Sequence, residues 1–238
     1  MLDKLISYGL QYAGYLLQVL LLVVLTARGH WRRLVGVSLY VVLFVSIDSV
    51  ARPCVLFRYG IASPQYRYVY WLSDVLLVLA AFVVVCIFFR RACAAEEKLW
   101  RHLRLLLGFV FALLACVSYF MIYSKFGDLW SRFITEFQQN TYFACLVLTT
   151  LLYIMMQRSE GRDEELAMLV CGMGILFAAP TAVLALYKLL PPSNFASALI
   201  NHVDQVCMLG MLSTWWYAIT KLPHGAIVRA DVPVVARA

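Results

Sequence analysis

Apolar residues run through this chain in solid blocks, broken by short clusters of arginine, proline, glycine and acid. The blocks reach about 20 residues or more, the helix length needed to cross a hydrocarbon layer of roughly 30 Å. They do not alternate polar with apolar in segments of about 10 residues, as the strands of a membrane barrel do. Open strands are excluded too, because their backbone groups would go unpaired in lipid. The pattern predicts an all-α, polytopic membrane protein. It is a seven-transmembrane helix bundle with spans over 5–27, 34–58, 67–90, 100–124, 139–157, 165–189 and 195–220. These make one domain over 1–221, followed by a short cytoplasmic tail over 222–238.

The connections are short, so consecutive spans are expected to be antiparallel neighbours. The long connection, KFGDLWSRFITEFQ at 125–138, places Phe126, Trp130, Phe133, Ile134 and Phe137 at helical spacing. It predicts either a short helix on the outer surface or an upward extension of span five. Span five itself, YFACLVLTTLLYIMM, needs the preceding QQN to reach full length. PPSN at 191–194 is expected to break the chain and cap span seven. Pro180 is expected to kink span six, and GMG at 172–174 reads as a small-residue packing signal.

Composition sharpens the class. Of 238 residues, 63% are hydrophobic and 14% charged, with a mean hydropathy of +0.82. A soluble domain holds roughly 45–50% apolar and about 25% charged residues. The leader MLDK carries no net positive charge and precedes a long apolar run. The first span is therefore expected to be retained rather than cleaved as a signal peptide. Seven cysteines are scattered without a CxxC pair, so neither a disulfide framework nor a structural zinc site is expected.

The net charge of +7 is mainly a threading signal. Thirteen Lys and Arg lie on the side of the first connection, among them Arg28, Arg32, Arg33, Arg90, Arg91, Arg101, Arg104 and Arg158. Seven lie opposite. The excess predicts an outside amino terminus and a cytoplasmic carboxyl terminus. Dispersal of these charges along membrane edges argues for a lipid bilayer as partner and against nucleic acid. Tyr8, Tyr12 and Tyr15 at one end, and Trp215, Trp216 and Tyr217 at the other, read as headgroup-level anchors.

Against this background the polar residues inside spans stand out. With a rise of about 1.5 Å per residue, Asp48 lies roughly 15 Å below the outer end of span two, and Asp74 about 10 Å down span three. Asn201, His202, Asp204 and Gln205 lie about 10–16 Å down span seven. Arg67, Tyr70, Trp71 and Asp74 form one helical stripe, and Asp48 and Arg52 sit one turn apart. A charge at mid-membrane costs at least about 2.5–3.5 kcal/mol and must find a partner or water. The three stripes are therefore expected to turn inward and meet near the outer face. Three carboxylates against two arginines and one histidine exceed what simple packing requires. Acids withdrawn from water can also carry protons.

No catalytic constellation accompanies them, and neither an enzyme nor a cofactor is expected. Intramembrane metal hydrolysis and bis-histidine haem both need several histidines, and only His202 lies deep in a span, with His30 and His102 at the cytoplasmic edge and His224 in the tail. Arg67-Tyr68-x-x-Trp71-Leu72 resembles the third helix of microbial rhodopsins, a family with seven spans and the same threading. That family holds retinal on a lysine of its seventh helix. Span seven here has no lysine before Lys221, so retinal is not expected. YVYWLSD, with NHVDQV, also resembles a group of uncharacterised seven-helix membrane proteins of soil bacteria. That likeness implies a bacterial inner membrane and no established activity. The leading expectation is a sensor- or receptor-like module whose outer polar pocket takes a small molecule or proton. It would act through a protein partner at the basic cytoplasmic loops. A proton-coupled transporter or channel subunit, and a non-catalytic scaffold, are the alternatives.

Overall fold

A computed structural model describes residues 2–27, 29, 31, 33–94, 97–123, 129–158, 163–189 and 194–221. All regular structure among them is helical: α1 (Leu2–Ala27), α2 (Val35–Val45), a π-helical segment (Ser46–Ala51), α3 (Arg52–Tyr59), α4 (Pro64–Ala92), α5 (Glu97–Tyr123), α6 (Leu129–Arg158), α7 (Glu164–Leu189) and α8 (Asn194–Lys221). Six stretches are long and apolar enough to cross a membrane: Tyr8–Ala27, Val35–Tyr59, Pro64–Ala92, Glu97–Tyr119, Glu136–Arg158 and Glu164–Val183. The chain is thus a multi-pass helical membrane protein. Helix α8 has 28 residues, but His202 and Asp204 interrupt its apolar character and set it apart from those six.

Local chemistry explains the helix ends. Gly60, at φ +77°, ends α3 in a conformation that side chains resist. Ser63 then caps α4, its Oγ accepting from the Tyr66 N–H at 3.1 Å, with Pro64 in the first turn. Asp163 caps α7 in the same way through the Leu166 N–H at 3.1 Å. Pro53 accounts for the π segment. It has no N–H for the carbonyl of Ser49, and its ring crowds that oxygen. The preceding turn widens, so the Arg52 N–H reaches back five residues to the Ile47 carbonyl.

Five long helices and the broken second span (α2, the π segment and α3) close a ring. It runs from α1 to the second span, α4, α6, α7, α8 and back to α1. Helix α5 stands outside this ring and rests chiefly on α6. Consecutive helices touch here too, α4 meeting α5 through the rings of Phe82 and Phe111 at 5.4 Å, but α4 packs more extensively on α6. Residues 129–138 are helical and continuous with α6, so this part of the long connection extends span five upward. Residues 124–128, the PPS of the second break and the tail over 222–238 lie outside the described residues. Helix α7 runs on through Pro180.

The ring interior has three tiers. One half is an apolar core of Leu21, Leu25, Val37, Val41, Val85, Leu152, Met173, Phe177, Met211 and Trp215, among others. In lipid, apolar burial alone does not drive helices together, so close packing and polar ties must hold the bundle. Trp215 supplies both. It is fully buried, packs edge-on against Tyr40 with ring centroids 5.9 Å apart, and donates its Nε1–H to the Leu169 carbonyl at 2.9 Å. A Cβ added to Gly172 would lie 2.7 Å from its ring. Trp215 is thus a core residue, not a headgroup anchor, because it falls on the inward face of α8. Tyr8, Tyr12 and Tyr217 are exposed.

Beyond the core, at the end where α1 stops and α7 starts, lies an ion-pair clasp. Glu165 is only 3% exposed and pairs with both Arg33 and Arg91, the latter at 2.9 Å. Arg91 also pairs with Asp163 at 2.8 Å. These two arginines, counted above only as threading charges, tie the first connection and the end of α4 to the start of α7. The third tier, at the opposite end of the core, is polar.

Candidate functional site

The polar tier is built around one arginine. The π segment ends at Arg52, whose side chain leaves the second span and reaches α4. Its guanidinium pairs with Asp74, donates Nε–H to Ser73 Oγ at 3.0 Å, and lies 3.6 Å from the carboxylate of Asp48 one turn back. Its central carbon sits 4.4 Å over the ring of Tyr70, a cation–π arrangement. Ser73 is held in place by donating its own hydroxyl to the Tyr70 carbonyl at 2.7 Å. Arg52, Asp74 and Asp48 keep only 16, 19 and 26% of their side-chain surface exposed, so their charges are largely withdrawn from solvent.

Neighbouring helices complete the shell. Gln18 of α1 is fully buried, accepts from Ser49 Oγ at 3.3 Å and lies beside Asp48. Gln138 of α6 lies beside both Asp74 and Tyr142. Asp204 of α8 is close enough to Asp74, Tyr70 and Tyr142 to interact electrostatically with each. No arginine or lysine pairs with Asp204 among the described residues.

Asp204 also heads a stripe of α8 that faces the bundle. Met208, Met211, Trp215 and Ala218 follow it at i+4, i+7, i+11 and i+14, one face of the helix. Met211, Trp215 and Ala218 are buried in the bundle. Asp204 heads the same inward stripe yet is exposed. The stripe therefore passes from buried side chains to an exposed carboxyl at that end of α8.

Of the residues singled out from the sequence, Asp48, Arg52, Tyr70, Asp74 and Asp204 come together here. Trp71, His202 and Gln205 are half-buried on the same helices. The Oε1 of Gln205 is buried and has no hydrogen-bond partner among the described residues. Asn201 belongs to α8, and its side chain lies outside the described residues. Arg67 does not join: it is exposed and makes no ion pair among the described residues. Arg52 takes the role of counter-ion instead, reaching Asp74 on the adjacent helix α4. Gln18, Ser49, Ser73, Gln138 and Tyr142 were not anticipated. Gln18 had a signal, being the sole polar residue between Tyr15 and Thr26.

No family model matches the chain, and no curated protein or solved structure does. The cluster's own chemistry carries the functional reading. One arginine pairs with two carboxyl groups, Asp48 and Asp74, and a third, Asp204, interacts with Asp74 from α8. If all ionise, two negative charges stand in excess within the bundle, and each costs a few kcal/mol unless matched. Protons, water or a bound cation can supply the match. The site offers carboxylate, amide, hydroxyl and aromatic groups, a set suited to binding and to proton exchange.

Proposed function

We propose that this protein is a seven-span sensor- or receptor-like module of a plasma membrane, the bacterial inner membrane. Its amino terminus lies outside and its carboxyl terminus in the cytoplasm. The polar tier around Arg52 is then an outward-facing pocket that takes a proton or a small cationic molecule, and Asp204 is the acceptor nearest its mouth. The exposure of Asp204 at the head of a buried stripe is the single observation that carries this reading. Occupancy alters the charge balance around Arg52. It thereby biases the packing of the second span, α4 and α8, which a protein partner at the basic inner loops reads out. The core beneath the pocket favours a receptor over a conduit, since its described residues, Leu21, Val41, Val85, Leu152, Met173 and Phe177 among them, are apolar.

The experiment is thermal unfolding of the protein in lipid nanodiscs, over a series of pH values and with added ammonium ions. The wild type should change its midpoint across the series, and Asp204→Asn should flatten that response while remaining folded. Superimposable curves for the two proteins would remove the basis for a binding role. A steady proton flux through the protein alone in liposomes would replace the receptor by a transporter.

A further inference from the structure

A second polar site lies where α4 ends and α5 begins, away from the tier around Arg52. There a cavity of about 540 Å³ is lined by Arg90 of α4 and by Glu97, Trp100, Arg101 and Arg104 of α5. This volume falls within the roughly 300–1,000 Å³ range of small-molecule sites. None of the three arginines makes an ion pair among the described residues. That contrasts with Arg33 and Arg91 nearby, which are both consumed by the clasp. Glu97 opposes one of the three positive charges, which leaves a net balance favouring an anion.

The surroundings say which kind of anion. Helix α5 stands outside the ring, and the surface leading away from the cavity is apolar and exposed: Leu105 at 68%, Leu106 at 53% and Phe109 at 65%. Leu105 and Phe109 follow Arg101 at i+4 and i+8, so the apolar face continues the ridge of a cavity arginine, while Trp100 packs against the bundle core. A soluble phosphate would use the arginines and ignore the apolar face. A phospholipid uses both, with its phosphodiester among the arginines and its acyl chains along α5.

We infer that the cavity at the α4–α5 junction binds the phosphate headgroup of an anionic phospholipid. Arg90, Arg101 and Arg104 donate to its oxygens, and the outer face of α5 seats its chains. This site does not depend on the pocket around Arg52 or on the receptor reading.

Native mass spectrometry of the detergent-purified full chain tests it, with phosphatidylglycerol, phosphatidylcholine and free glycerol phosphate as probes. The wild type should retain phosphatidylglycerol in preference to phosphatidylcholine, with glycerol phosphate bound far more weakly. The Arg101→Gln/Arg104→Gln pair should weaken phosphatidylglycerol binding roughly thirtyfold, from about 1 kcal/mol for each basic residue near an anionic surface. Arg58→Gln, a change of one charge on an exposed residue of α3, should leave it within about twofold, and Glu97→Gln should tighten it. Equal retention of the two lipids by the wild type, a measurement that needs no variant, would overturn the inference. So would an equal loss in Arg58→Gln, which marks unspecific attraction. Glycerol phosphate binding as tightly as the lipid would assign the cavity to a soluble phosphate instead.

Discussion

Arg52 is the residue on which the polar tier turns. Removing it leaves Asp48 and Asp74 facing each other without their shared cation, and breaking one side of a buried charge pair costs about 3–5 kcal/mol. Arg52→Gln should therefore destabilise the protein by about that amount in reversible unfolding in mixed micelles. Adding Asp74→Asn should recover a substantial part, since one excess charge goes with it. Arg67→Gln, at an exposed position outside the cluster, should stay within about 0.5 kcal/mol of wild type. Strict additivity of the Arg52 and Asp74 substitutions would show that the two do not share a network. Gly172 offers a second test at this scale. A methyl group there meets the Trp215 ring at 2.7 Å and the Met211 carbonyl at 3.4 Å. Gly172→Ala should cost about 1–3 kcal/mol by overpacking. Gly174→Ala, whose nearest neighbour is Thr149 Oγ1 at 3.9 Å, should change little in the same measurement.

Six of the seven expected spans were legible in the sequence because membrane thickness dictates the length of an apolar helix. The seventh, over 195–220, is helical as α8 but is not among the six stretches apolar enough to cross. The upward extension of α6 was legible through its helical spacing, though only as one of two alternatives. Three features were not. The π segment follows from Pro53, which sits inside an apolar block where nothing but its missing N–H distinguishes it. The outward position of α5 depends on which helices pack best together, and α5 is as apolar as its neighbours. The clasp was hidden because Asp163 and Glu165 stand at the start of α7, where they read as helix-end acids, and their partners Arg33 and Arg91 read as threading charges. Trp215 was misplaced for a related reason. A WWY run resembles an interfacial belt, and only its register with Asp204 along α8 points it inward. The clasp makes its own prediction. Glu165→Ala would leave Arg33 and Arg91 without their buried partner, and should cost about 3–5 kcal/mol in unfolding measurements. Asp163→Ala removes a helix cap and one partner of Arg91, and should cost about 1 kcal/mol or somewhat more.

At the scale of the whole molecule, an apolar core separates two polar ends with different characters. The clasp end is matched, its buried acid held by two arginines. The Arg52 end is unmatched: Arg52 pairs with Asp48 and Asp74, while Asp204, beside Asp74, is exposed and has no arginine or lysine partner among the described residues. Under the proposed function, stability and response belong to opposite ends of one bundle. The measurement that tests this most directly is thiol labelling of Asp204→Cys in an otherwise cysteine-free chain. A membrane-impermeant reagent is added from outside the intact cell, with Val206→Cys as the control. Val206 is exposed two residues away on a face turned toward lipid. The account predicts rapid labelling at 204 and little at 206, because a thiolate forms only in water. Equal protection of the two positions, or labelling at 204 from the cytoplasmic side alone, would contradict an outward-open pocket.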